Sequence, residues 1–266
     1  MQPPHQSRPG SGTIGDTVLA NRIFLAGATG AIGQRLVPLL RNAGHQVTGT
    51  TRSAAKTDRL RALGAEPVVI DAFDADGLLA AVAAASPDVV IHQLTDLPPR
   101  LEPELMAAAL PRNARIRDEG TRNLVRAARA AGARRLIAQS IAWIHAPGPT
   151  PHAEDDPLTT APDGSSGVTI AGVVALERQT LQSPPLEGIV LRYGQLYGPG
   201  ASRPDRHGDL PLHVDAAAYA ALLAIDHGTP GIYNVAEPNG IVATGKARQE
   251  LGWDADFRLP AGPGRP

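Results

Sequence analysis

Short apolar runs recur along the chain, each followed by a longer Ala- and Leu-rich stretch in which apolar positions return every three to four residues. The first pattern suits strands buried on both faces, the second helices packed by one face. Ile23-Phe24-Leu25-Ala26 predicts a first strand, and further strands are expected over 47–50, 68–70, 89–91, 136–138, 188–191 and 232–235. Helices are expected over 31–42 with Gly44 as the stop, over 53–62 with Ser53 as the cap, and over 74–85. A long helical region follows over roughly 102–131, closed by Gly132, and a late helix over 216–225 begins at Asp215, read as its N-terminal acid. Pro38 interrupts the first helical pattern, where it removes one backbone donor and should bend the helix.

Strands separated by long crossovers pair in parallel, and right-handed crossovers build a doubly wound, mostly parallel α/β sheet of Rossmann type. The expected organisation is a disordered leader over 1–21 and a dinucleotide-binding core over 22–192. The segment 193–266 then holds a small substrate lobe and a strand returning to the core. The leader is rich in Pro, Gly, Ser and Gln and lacks the apolar centre of a signal peptide. Loops 143–167 and 193–212 follow the fifth and sixth strands, at the sheet end where such folds bind ligands.

Composition narrows the function classes. A formal net charge of -1 without a dense basic run gives nucleic acid or a membrane surface no electrostatic hold. No apolar stretch approaches the ~20 residues of a membrane span. The chain has no Cys, which excludes disulfides and thiolate metal sites and fits a reducing cytoplasm. Lys occurs only at Lys56 and Lys246, so nearly all positive charge is Arg. His207 and His213 with Asp205 and Asp209 are the nearest approach to a metal set, and four such side chains on one loop are too weak a pattern to assign one.

The chemistry begins at Gly27-Ala28-Thr29-Gly30-Ala31-Ile32-Gly33, between the first strand and the first helix. Glycines permit the tight turn, the close backbone approach to a pyrophosphate and the packing of helix on strand, while the helix N-terminus offers N–H groups to the anion. The second strand ends Thr50-Thr51-Arg52, where an NAD-binding protein places an acid for the ribose hydroxyls. A carboxylate would repel a 2′-phosphate and Arg can grip it, so NADP(H) is expected rather than NAD(H). The alternative is that Arg52 is a solvated charge after a strand. Asp71 fits either the adenine edge or a cap on the following helix, beside Ala72.

Several blocks in order resemble the extended short-chain dehydrogenase/reductase group, the NAD-dependent epimerase/dehydratase proteins. They are the glycine turn, Val89-Val90-Ile91-His92-Gln93-Leu94, Gly120-Thr121-Arg122-Asn123-Leu124, the stretch 135–140, and Leu191-Arg192-Tyr193-Gly194-Gln195-Leu196-Tyr197-Gly198-Pro199-Gly200. His213-Val214-Asp215 and Gly231-Ile232-Tyr233-Asn234-Val235-Ala236 close the series. The resemblance implies a nicotinamide cofactor on Gly27, Thr29, Gly30, Ala31, Ile32, Gly33, Thr51, Arg52, Asp71, Ala72, Gln93, Leu94 and Tyr193. It also implies a small-molecule substrate and a homodimer of the kind common in that group. The lobe over 201–212 and the C-terminus are shorter than the group's usual ones, so substrate class does not carry over.

The group's acid–base pair, a Tyr with a Lys four residues later, is missing. Arg52 stands four before Lys56 and Val242 four before Lys246; counted from Glu177, the pair's places fall near Thr169 and Val173. A Tyr with an ordinary pKa near ~10 needs that cation to work at neutral pH. Ser140 lies where the group's substrate-orienting Ser belongs, or caps the loop after its strand. His145, Tyr197 or water remain as proton donors, with Arg192 as a holder of a substrate anion or the partner of an acid. Two functions follow as expectations: an NADP(H)-dependent reductase-like or epimerase-like oxidoreductase with non-standard catalytic residues, or a nucleotide-binding protein of the same fold without net redox chemistry. The second would be a cyclase, isomerase or lyase of secondary metabolism, or a redox-sensing regulator.

Overall fold

The computed structural model describes residues 20–98, 100–160 and 164–260; most of the expected leader lies outside them. Seven parallel strands form one sheet in the order β3-β2-β1-β4-β5-β6-β9. They are β1 (Arg22–Ala26), β2 (Gln46–Thr51), β3 (Glu66–Val69), β4 (Val89–His92), β5 (Arg135–Ile141), β6 (Glu187–Tyr193) and β9 (Gly231–Val235). The other two, β7 (Gln195–Tyr197) and β8 (Pro211–His213), pair in parallel as a separate small ribbon. The helices are α1 (Ala31–Asn42), α2 (Thr57–Leu63), α3 (Ala75–Ala85), α4 (Pro103–Arg115), α5 (Thr121–Ala130), α6 (Ser165–Leu181) and α7 (Val214–Leu223).

Alternate strand residues feed two cores. Ile23, Leu25, Val89, Ile91, Ile137, Ile189 and Leu191 pack under α1, α2 and α7, whereas Phe24, Ala26, Val90 and Leu136 pack under α3 and α5. Burial on both faces is why these strands read as unbroken apolar runs. The order reverses direction between β1 and β4, which opens a crevice beyond the carboxyl ends of the strands.

α1 runs through Pro38 over the expected range. Two local readings are corrected. Ser53 makes no side-chain cap; a 3₁₀ turn over Ala54–Lys56 intervenes, and the Ser53 N–H is held by Thr51 Oγ1 at 3.1 Å. β3 begins two residues before the apolar triplet, because it is an edge strand whose pairing to β2 fixes its span where apolar content does not. The long helical region is present as expected, built of α4 and α5 joined without a break by a π-helical turn, Ile116–Gly120.

Candidate functional site

The carboxyl ends of the strands and the two loops beyond β5 and β6 enclose a cavity of about 670 Å³. Its near end is the glycine turn. Gly27 has φ +90°, and a Cβ there would stand 2.7 Å from the Gln93 carbonyl oxygen. At Gly33 a Cβ would run into the Gly27 carbonyl oxygen and lie 2.7 Å from the Ala28 carbonyl carbon. These are the tight bend and the close helix packing for which the residues were read. The Thr50 hydroxyl accepts the Gly27 N–H at 3.1 Å, pinning the turn to β2. Gly30 occupies the N-cap of α1 without a side-chain bond, so first-turn N–H groups are left for an anion. Gln34, also on the wall, donates to the Thr29 carbonyl.

Of the expected cofactor residues, Gly27, Thr29, Gly30, Ala31, Ile32, Thr51, Arg52, Ala72, Gln93, Leu94 and Tyr193 line the cavity. Gly33 stands behind the wall in its packing role. Asp71 is exposed beyond the lining, its carboxylate accepting the Phe73 N–H at 3.0 Å, while Asp74 caps α3. Arg52 is half-exposed, 3.2 Å from Asp96, which Arg112 also holds; Lys56 lines the same corner. Lys56 escaped the sequence reading, although a second cation four residues after Arg52 was a signal.

The expected catalytic residues fare differently. Ser140 is buried on the wall, but its hydroxyl donates to Glu177 Oε1 at 2.7 Å. Glu177 also receives the Arg192 fork, Nε to Oε1 at 2.9 Å and Nη2 to Oε2 at 2.7 Å, with both partners almost wholly buried. Arg192 is thus the partner of an acid, and the Ser140 hydrogen is unavailable to a substrate carbonyl. Tyr197 lies outside the lining: its hydroxyl donates to Glu237 and receives Arg258 at 3.2 Å. Burial and the Glu237 carboxylate push the Tyr197 hydroxyl up from its usual pKa, which makes it a poorer acid. His145 stacks on His152 with ring centroids 4.9 Å apart in a neighbouring hollow, which meets the main cavity only at Trp143 and Gln195. Burial and the nearby Arg192 lower its pKa, so it is neutral at pH 7. Neither Tyr197 nor His145 faces the cavity as the expected proton donor. Val173, the place counted for the group's Lys, is fully buried.

The remaining expectations resolve locally. The Tyr193 hydroxyl donates to the Ala217 carbonyl at 3.1 Å, leaving its ring on the cavity floor. His213 caps α7, and Asp215 makes a bidentate pair with Arg35 of α1 in addition to its place in the first turn. His207 lines the cavity with Gly200, Ala201 and Ser202, so the loop after β7 closes over the glycine turn. Arg117, in the π-helical turn, is a wall residue that sequence periodicity could not reveal, because the extra residue in that turn breaks the helical period.

A switch-point crevice, a glycine cradle at a helix N-terminus and a basic corner at the end of β2 define a Rossmann-type nicotinamide-nucleotide protein. Residues 27–163 match the NAD(P)H-binding family. The chain is 44% identical over 238 residues to the 3-diazoavenalumate denitrifying reductase of a Streptomyces species, covering 81% of this chain and 76% of that one. Among solved structures it is similar to the UDP-glucose 4-epimerase of Thermus thermophilus in complex with NAD, with 19% identity, TM-score 0.72, and 90% and 95% of the two chains covered. The Thermotoga maritima UDP-glucose 4-epimerase with UDP-glucose gives 18% identity, TM-score 0.71, and 89% and 94% coverage. The chain belongs to the NAD(P)H-binding family, with the fold of the extended short-chain dehydrogenase/reductases. It is an oxidoreductase that uses a nicotinamide cofactor on a small metabolite. Among the described residues, no helix is long and apolar enough to cross a membrane.

Proposed function

We propose that the chain is an NADP(H)-dependent reductase that passes hydride to an electron-poor, nitrogen-bearing small molecule without a side-chain acid at the acceptor. The observation that carries this reading is a nucleotide-sized cavity from which both expected proton-donating side chains are withdrawn, Tyr197 to Glu237 and His145 into the next hollow, while the Ser140 hydroxyl is held by Glu177. The bound cofactor supplies the hydride. Gly27, Gly30 and Gly33 make the pyrophosphate cradle, with Thr29, Ala31 and Ile32 around it. Thr51, Arg52 and Lys56 face the adenosine end, where two cations on the wall, with Asp96 outside the lining and shared with Arg112, favour a 2′-phosphate. Asp71 borders the adenine corner through its neighbours Ile70 and Ala72, and Gln93, Leu94 and Tyr193 shape the floor towards the reacting end.

The name of the Streptomyces relative denotes a reduction that removes nitrogen from a diazo compound. Such a group in its cationic form takes hydride directly: R–N₂⁺ and H⁻ give R–H and N₂, with no proton needed. A ketone, by contrast, needs a proton at oxygen, which is the task of the absent Tyr and Lys. An acceptor of the first kind asks this chain only to orient the substrate and exclude water. In that role Ser140 presents a lone pair and no proton. The cysteine-free composition fits the cytoplasm as its compartment.

The test uses NADPH deuterated at its transferable position, with an arenediazonium salt and the aldehyde of the same ring as parallel substrates. Expected is deuterium on the carbon that lost nitrogen, formed above the protein-free rate and faster than the aldehyde is reduced. Cofactor consumption without deuterium in the product, or faster reduction of the aldehyde, would overturn the reading. Cofactor choice is tested by Thr51→Asp with Arg52→Ala, which should lower the preference for NADPH over NADH by at least about tenfold. An unchanged preference removes Arg52 from the 2′-phosphate site.

A further inference from the structure

The cavity wall carries three cationic side chains, Arg52, Lys56 and Arg117, and not one Asp or Glu. Arg52 and Lys56 stand together at the end of β2 and are accounted for by a phosphate. Arg117 enters from the π-helical turn between α4 and α5, apart from them. It is 7% exposed and lines the cavity. The carboxylate that favours its charge is Glu177, and that group already accepts three hydrogen bonds, from Ser140 and the Arg192 fork. Among the described residues Arg117 makes no ion pair of its own. Burial brings its pKa down to about 10, so it is still cationic at neutral pH. His92, buried behind it, contributes no opposing charge: its Nδ1 accepts the Leu94 N–H, and its Nε2 faces the Thr121 hydroxyl at 3.0 Å, which fixes a neutral ring.

A guanidinium held out of water without a paired anion is costly, and a ligand anion relieves that cost. We propose that Arg117 anchors the substrate by its carboxylate. The substrate class is then an organic monoacid whose apolar body lies among Leu94, Ile116, Leu196 and Trp143. One guanidinium presents a fork that matches one carboxylate, whereas the phosphate end of the same cavity uses two cations. This inference rests on the cavity being the reductase site proposed above, and it assigns the group that sets substrate class there.

The probes are cinnamate and cinnamamide, which share shape and differ in charge. Each is titrated into the full chain, with and without saturating NADP⁺, and read by tryptophan fluorescence. Trp143 is exposed at the cavity mouth, while Trp253 is buried with its indole N–H bonded to the Ala216 carbonyl and serves as a constant background. Cinnamate should bind at least tenfold more tightly than the amide. Arg117→Gln should abolish that preference, and Arg117→Lys should retain part of it, with NADP⁺ affinity unchanged by calorimetry in both. Equal affinities of acid and amide in the unaltered protein, no binding of cinnamate at millimolar concentration, or a preference that survives in Arg117→Gln would each overturn the proposal. A failure of NADP⁺ to bind would sink the cofactor reading instead and leave the comparison of acid with amide in the nucleotide-free protein still decisive.

Discussion

A side chain's place in the sequence motif and the partner it finds in the fold can disagree, and Ser140 is the case in point. Its position on β5 is the expected one, but Glu177, thirty-seven residues away, accepts its hydrogen bond. Ser140→Ala should therefore slow turnover by less than about tenfold, against the 10²–10⁴ typical of a lost general acid; a larger loss in steady-state kcat would return Ser140 to direct contact with the substrate. His92 makes a different prediction. Full burial holds its pKa down to about 4, against 6.5 for the free side chain. The unfolded chain therefore binds a proton here that the folded chain refuses, so stability is present above pH 6.5 and falls as the pH drops towards 4. The loss is on the order of 3 kcal/mol across that window. Urea midpoints measured from pH 7 to pH 4.5 should show the decline, and His92→Asn should flatten most of it.

Elements that carry their own constraint were legible in the sequence. The β1–turn–α1 unit was, because Gly27 and Gly33 are dictated by backbone contacts within the motif and with the next strand. The central strands were, because burial on both faces leaves an unbroken apolar run. The edge strand β3 starts two residues before its expected place and ends one before it, since pairing along an edge leaves little mark on composition. Tyr197 was misplaced because its true partner, Glu237, is forty residues on. The same long reach joins β5, β6 and α6 through Ser140, Arg192 and Glu177. Glu177→Leu alone should cost about 3–5 kcal/mol by leaving Arg192 buried and unpaired, whereas Glu177→Leu with Arg192→Leu should recover much of it. Thermal denaturation of the two variants decides the point; an equal or larger loss in the double variant would show that the pair is net stabilising.

Across the whole molecule, α4 and α6 pack against each other and leave Leu105, Val168 and Val174 exposed. These apolar positions support a homodimer through those helices, the assembly we propose. Sedimentation equilibrium should give twice the chain mass, and Leu105→Glu should shift the protein towards the monomer; a monomer at every concentration would remove the idea. The distribution of charge has a separate consequence. The chain is nearly neutral in sum, yet the three charged groups on its cavity wall are all positive, so the remainder of the molecule is net negative. An acidic ligand therefore meets a weakly repelling exterior with one attracting mouth, a field that guides encounters to the right place before any contact forms. Added salt should shorten that guidance, slowing capture of the nucleotide in stopped-flow traces far more than it hastens escape.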